Sequence, residues 1–440
     1  MTMPNVGPVA PAVAPPPTAA RAGAMAEGLK GSQILRIAAD IRELVAGGAE
    51  VCNLTIGDFG PASFPIPAGL ARRIADALAA GETNYPPSNG MPALREAVRR
   101  GYRERLGLDV PTESVVVSGG SRPGIYATYV TLVDPGDRVV YPVPSWNNDA
   151  YVHLARAVGV PVRCDASTNF LPTRALLEPH VRGARLIALN TPLNPTGTAM
   201  DADTLAGICD LVLEENARRG AAERSLYLMF DQVYWMLTMH GVRHVTPTGL
   251  RPAMTPYTVY VDGISKAFAA TGLRVGWTVA PPDLAGRMSD LLGHIGAWAP
   301  RAEQVATAAF LGADEEIAAY HAGMLRDVQA RLDLLHDAIV AWRGEGLPVD
   351  AIAPMGAIYL SARFALNGAR LAAGERLATN EDIRRYLLRE AGFAVVPFQA
   401  FGDADETGWF RLSVGAVSVA EIEAVLPRVR AALAAAAGAA

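Results

Sequence analysis

Thr258-Val259-Tyr260-Val261-Asp262-Gly263-Ile264-Ser265-Lys266 reads as an apolar strand that runs into a small-residue turn and stops on a lysine. Eight residues on, Thr271-Gly272-Leu273-Arg274-Val275-Gly276 supplies an arginine and leads into the apolar run Val275–Val279. A lysine is ordinarily a solvated surface group, and one placed behind Gly-Ile-Ser at a strand end breaks that habit. Its amine condenses with carbonyls, and burial beside other cations lowers its pKa and frees it for that attack. An arginine fork holds a phosphate. Two more apolar runs end in polar residues of this kind. Leu226–Phe230 closes on Asp231-Gln232-Val233-Tyr234, and Arg185–Asn190 is followed by Asn194-Pro195-Thr196-Gly197.

Working outward, short apolar runs alternate with helical patterns from about residue 113. Strands are expected at Ser114–Val117, Arg138–Tyr141, Val160–Arg163, Arg185–Asn190, Leu226–Phe230, Thr258–Val261 and Val275–Val279, with helices over 122–133 and 201–218. Such alternation predicts a mostly parallel sheet with helices on both faces. Ligands of these sheets bind beyond the carboxyl ends of the strands, where Gly119 and Gly120, Asn194, Asp231 and Lys266 all fall. After about residue 300 the pattern changes to a long helical stretch, 302–343, and shorter strands near 357–361, 394–397 and 409–414. This predicts a second, α+β domain.

The chain has 440 residues, half of them hydrophobic, more than one core usually organises. A net charge of -5 excludes the basic footprint of a nucleic-acid binder, and no apolar run approaches the ~20 residues of a membrane span. Cys52, Cys164 and Cys209 have the spacing of neither a disulfide framework nor a zinc site, so reduced core thiols are expected. His240 and His244 read as surface-loop histidines. Residues 1–28 are rich in Pro and Ala and read as a disordered tail. The alanine-rich last ten residues are expected to fray from a terminal helix.

In this order, the lysine turn, the Asp-x-x-Tyr strand end and Asn-Pro-Thr-Gly resemble the fold-type I, class I/II aminotransferases that depend on pyridoxal 5'-phosphate, the aspartate aminotransferase-like group. The resemblance runs from about residue 50 to 415. It implies an α/β fold of the pyridoxal-phosphate transferase type. Its large domain, 76–320, would carry a mostly parallel seven-stranded sheet. A smaller α+β domain would be built from both chain ends, 29–75 and 321–440. Pyridoxal 5'-phosphate carries an aldehyde and a phosphate, the two groups that the lysine and arginine suit. The resemblance further implies that Lys266 bonds the aldehyde carbon and shuttles the proton, and that Asp231 pairs with the pyridine nitrogen. Tyr234 and Asn194 would bond the phenolic oxygen. Gly120, Ser121, Ser265 and Arg274 would take the phosphate, and Trp146 would stack on the ring. Tyr85 would reach the phosphate of a neighbouring subunit. Arg411, with the Gly57 backbone, Trp146 and Asn194, would receive the substrate. One departure stands out: Gly263 replaces the serine common three residues before the lysine, which removes a hydroxyl from the phosphate cup.

The expected protein is a soluble, cytoplasmic homodimer that moves an amino group between an α-amino acid and a 2-oxo acid by a ping-pong mechanism. Rivals are a lyase on the same scaffold, a non-catalytic cofactor-binding regulator, which would need a DNA-binding domain, and a dinucleotide-dependent dehydrogenase, whose glycine spacing is missing. Aligning from Arg274 places Gly296 where dicarboxylate-specific members carry an arginine. Either Arg122 or Arg301 serves a distal carboxylate, or Trp298 lines a pocket for an apolar side chain. A broad or non-dicarboxylate partner is expected, with glutamate as amino donor.

Overall fold

The computed structural model describes residues 22–29, 31, 33–372 and 374–437. The large sheet draws on β1 (Val115–Ser118), β2 (Arg138–Val143), β3 (Val158–Arg163), β4 (Ala184–Asn190), β5 (Tyr227–Asp231), β6 (Thr258–Gly263) and β7 (Gly276–Val279). Their order across the sheet is β1-β7-β6-β5-β4-β2-β3. Only β7 runs antiparallel to its neighbours; the β2–β3, β2–β4, β4–β5 and β5–β6 pairs are parallel. Apolar residues dominate these strands because both faces are covered. Leu228 and Phe230 of β5 enter a core with Val117, Ile187, Leu189, Tyr260 and Phe310. Met229, between them, enters the opposite core with Leu186, Val259, Tyr129 and Leu292. This is the two-residue period of a strand.

A second sheet has the order Val396–Pro397, Trp409–Ser413, Tyr359–Phe364, Val349–Ala351, all antiparallel. The N-terminal residues Cys52–Asn53 pair in parallel with Phe393–Ala394. Leu54, Phe59 and Phe64 are buried with Tyr359, Leu360, Phe410 and Leu412 of this sheet. Leu70, from the helix Ala68–Ala79, instead enters the core beneath the large sheet.

Four expectations are corrected. The helical stretch 302–343 is two helices, Arg301–Phe310 and Asp314–Gly344. The second starts on Asp314, Glu315 and Glu316, whose charges favour a helix N-terminus, and Gly312 lies in the break. The tail expected over 1–28 is helical at Ala24–Gly28, with the Met25 carbonyl 2.7 Å from His153 Nε2; residues 1–21 lie outside the described residues. The C-terminal helix continues to Ala437 because Ala432, Leu433 and Ala436 are buried in the small-sheet core; residues 438–440 lie outside the description. His240 is exposed and pairs with Asp333, but His244 is half-buried and donates to Gln232 Oε1 at 3.2 Å. Burial pushes its imidazole down to about 4.

The loop after β4 is locked to the small sheet at one residue. Gly197 has φ +72°, and a Cβ there would overlap the Tyr359 carbonyl. Its own carbonyl accepts from the Met355 and Gly356 amides, each at 3.0 Å. Gly197→Ala combines a left-handed backbone with a backbone clash, and should cost about 2–4 kcal/mol in urea unfolding. A loss under about 0.5 kcal/mol would show that this junction yields.

Candidate active site

The carboxyl ends of β4, β5 and β6 open onto a cavity of about 540 Å³. Gly57, Ser121, Trp146, Asn194, Asp231, Tyr234, Ser265, Lys266, Arg274 and Arg411 all line it. Gly120 stands behind Arg274, whose guanidinium occupies the space a Cβ would fill. Tyr85 lies away from this cavity. It is 81% exposed and packs edge-on to Trp298 at 5.2 Å.

Lys266 follows β6 on the short helix Ile264–Ala267. Its Nζ donates to the Gly57 carbonyl at 2.7 Å and has no carboxylate in contact among the described residues. Desolvation lowers its pKa to about 8. Asp58 opposes that shift, and Arg411, Arg122 and Arg274 reinforce it. Asp231, the last residue of β5, shows the opposite effect. Desolvation raises its carboxyl to about 7, relieved only by the Val233 amide on Oδ1 at 3.1 Å. One lysine is eased toward its neutral form, and one carboxyl is short of a cationic partner.

Arg411 is 1% exposed. Its guanidinium lies 4.8 Å from the ring centroids of both Tyr359 and Phe401. Nη2 donates to the Thr55 carbonyl at 2.6 Å and Nη1 to Asn194 Oδ1 at 3.2 Å, while Nε has no partner among the described residues. A buried cation without a carboxylate is costly, and this one faces the cavity. By taking the Asn194 oxygen, Arg411 also leaves the amide Nδ2 free to donate.

Arg274 holds a left-handed backbone, φ +56°. It donates to the Thr271 carbonyl at 2.6 Å and to the Gly119 carbonyl at 2.9 Å. It therefore stands at the start of the helix Ser121–Leu132, where amides and dipole favour an anion. Gly263 leaves no room for the missing serine, because a Cβ would come within 2.8 Å of Gly276 Cα and 2.9 Å of the Val275 carbonyl. Ser121 Oγ lies beside that position and donates to the Asp262 carbonyl at 3.0 Å. An aldehyde, a phosphate and a pyridine nitrogen thus each have fitting residues in one cavity.

Several lining residues escape sequence reasoning. Tyr359 is fully buried, its hydroxyl 2.6 Å from that of Tyr234. Asp58 accepts from Thr271 Oγ1 on both oxygens, at 2.8 and 2.9 Å. Neither stands in a spacing that announces chemistry. Arg122 lies 5.4 Å over the Trp146 ring and makes no ion pair among the described residues, whereas Arg301 is tied to Glu82. One signal in the sequence went unread: Lys30 and Lys266 are the only lysines in 440 residues. With arginine serving at nearly every other cationic position, a lysine at a strand end stands out.

The aminotransferase class I and II family model matches residues 49–429. The chain is 30% identical to the aspartate aminotransferase of Rhizobium meliloti over 404 residues, 91% of this chain and 93% of that one. It is likewise 30% identical to the probable aspartate/prephenate aminotransferase of Thermus aquaticus, over 85% of this chain and 91% of that one. The crystal structure of the Rhizobium meliloti aspartate aminotransferase superposes with a TM-score of 0.86 at 29% identity, covering 95% of this chain and all of the other. The Thermus thermophilus aspartate aminotransferase with maleate gives 0.82 at 26% identity, covering 94% and 99%. A lysine, an aspartate and two arginines line one cavity in the fold of these relatives, and the chain belongs to the class I and II aminotransferases, enzymes that use pyridoxal 5'-phosphate to move an amino group between an α-amino acid and a 2-oxo acid.

Proposed function

We propose that the cavity residues divide the work of transamination as follows. Lys266 Nζ holds the cofactor through its aldehyde carbon. Arg274, the Ser121 amide and the Ser265 hydroxyl would hold its phosphate, beside Gly120. Asp231 faces the pyridine nitrogen, Tyr234 and the free Asn194 amide donate to the phenolic oxygen, and Trp146 covers the ring. When bound, the cofactor supplies an aldehyde for amines and a protonated ring that accepts electrons from the substrate Cα. Arg411 and the Gly57 backbone would hold the α-carboxylate, and the Lys266 amine would move the proton at Cα. The observation that carries this reading is Arg411: a buried guanidinium with no carboxylate among the described residues, facing the cavity of a lysine with a lowered pKa.

The same proposal takes 29–75 and 321–440 as the small domain and 76–320 as the large one, supported by the pairing of Cys52–Asn53 with Phe393–Ala394. It takes the active unit as a homodimer, with exposed Tyr85 reaching a neighbour's phosphate. It takes the compartment as cytoplasmic, since the three cysteines are free and buried, as a reducing compartment keeps them. No helix among the described residues is long and apolar enough to cross a membrane.

For the amino donor, the proposal favours a dicarboxylic acid such as glutamate or aspartate, in place of the broad or non-dicarboxylate partner expected from Gly296. Arg122 brings to the cavity the charge that Gly296 lacks, and it has no anionic partner among the described residues. Two relatives point the same way, one named an aspartate aminotransferase and one solved with maleate, a dicarboxylate. Arg122→Met should lower kcat/KM for aspartate by about ten- to a hundredfold, the worth of a hydrogen bond to a charge. Neutral amino acids of similar size should change little. An equal loss for both would place Arg122 on the cofactor instead.

Two measurements test Lys266. Borohydride reduction followed by peptide mapping should leave the pyridoxyl group on Lys266, and Lys266→Ala should remove it and turnover together. Label on Lys30, the other lysine, would reject the assignment. In cofactor-free protein, reductive methylation of Lys266 should rise about tenfold per pH unit up to about 8 and then level off, because only the neutral amine reacts. A rise that continues to about pH 10 would mean an ordinary lysine.

A further inference from the structure

Tyr359 touches two parts of the site at once. Its ring lies under the Arg411 guanidinium at 4.8 Å. Its hydroxyl is 2.6 Å from the Tyr234 hydroxyl, and the two rings meet edge-on at 5.6 Å. It is fully buried. Its position is held by backbone: it opens the strand Tyr359–Phe364, whose Ser361 pairs directly with Arg411. Ser361 Oγ donates to the Thr196 carbonyl at 2.9 Å, and Gly197 packs on the Tyr359 carbonyl.

Two phenols in contact share one hydrogen. Whichever donates spends its hydrogen on the other, and the acceptor keeps its own free. If Tyr234 donates to Tyr359, it has nothing left for the cavity. If Tyr359 donates, the Tyr234 hydrogen can point into the cavity, and the incoming bond polarises it into a stronger donor. We propose that Tyr359 is a positioning residue that donates to Tyr234. It thereby aims the Tyr234 hydroxyl at the cofactor's phenolic oxygen and links that contact to the occupancy of Arg411.

The surroundings favour this direction. Burial raises both phenols, and the Arg411 guanidinium, 4.8 Å from the Tyr359 ring, counters that rise at Tyr359. The more acidic of two neutral phenols is the better donor. Asp58, from the N-terminal segment, opposes Arg411 at Tyr359, more weakly. A carboxylate on Arg411 neutralises the charge over the Tyr359 ring and weakens its donation. Substrate binding at one end of the cavity is therefore felt at Tyr234.

The inference rests on the proposed contact of Tyr234 with the cofactor, and its test separates the two. The readout is the pH midpoint of the bound cofactor's visible absorption in the holoenzyme. A hydrogen bond to the phenolate form lowers that midpoint. Tyr359→Phe keeps the ring under Arg411 and removes only the hydroxyl. The midpoint should rise by about half a unit to one unit, while KM for the amino donor stays within about twofold. Tyr234→Phe should raise it further, and the double variant should match Tyr234→Phe alone. Incorporating 3-fluorotyrosine at position 359, a more acidic phenol of nearly the same shape, should move the midpoint down. This arm applies even where the phenylalanine variant folds poorly. A Tyr359→Phe midpoint equal to wild type, or a shift that adds in full to that of Tyr234→Phe, overturns the inference and leaves the Tyr234 assignment standing. A Tyr234→Phe midpoint equal to wild type overturns both.

Discussion

Among the described residues the Arg411 guanidinium is buried without a carboxylate, and much of the structure serves to keep it there. Its bonds go to the Thr55 carbonyl from the N-terminal segment and to Asn194 from the loop after β4. Its faces are covered by Tyr359 and Phe401 from the C-terminal half. Three distant stretches of chain thus converge on one cation. Removing a cation from water costs several kcal/mol, so the fold holds a site ready for an anion. The backbone junction at Gly197 and the parallel pairing of Cys52–Asn53 with Phe393–Ala394 fix the same three stretches relative to one another.

Desolvation then does two kinds of chemical work in one cavity. It lowers Lys266 and raises Asp231, because in each case it disfavours the charged form. The lysine is eased toward its neutral form, which the proposed roles of nucleophile and proton carrier require. The carboxyl becomes a strong partner for any protonated nitrogen brought to it, since an ion pair there restores what burial took away. The cluster of Arg122, Arg274 and Arg411 adds to the first effect and provides anion sites around it. The proposed catalysis by a neutral lysine and the proposed binding of anions thus draw on the same cluster of arginines.

Much of this was legible in the chain. The strand ends at Asn190, Asp231 and Gly263 carried the sheet and its ligand edge, because buried parallel strands must be apolar and must stop where polar residues begin. Other features were not. The break at Gly312 lies inside a run whose helical period barely falters. The helix Ala24–Gly28 sits in a segment whose prolines argue for extension. His244 looked like a surface residue of its loop, and its burial depends on Trp235 and Phe230 closing over it. Gly263 looked like a lost phosphate contact. The space there is filled by Gly276, Val275 and Ser121, from segments that meet only in the folded molecule.

By itself the sequence determined the α/β class, the edge where chemistry gathers and the residues at that edge. Those properties follow from local alternation of polar and apolar residues and from what terminates each run. Tertiary structure alone decided which side chains share a cavity and in what electrostatic state. Tyr359 and Asp58 join Tyr234 and Lys266 only because separate chain segments are packed together. Arg122 and Arg301 were interchangeable as candidates until the fold tied one to Glu82 and turned the other toward Trp146. Hydrogen bonds and desolvation act over a few ångströms of space, and separation along the chain does not report that distance.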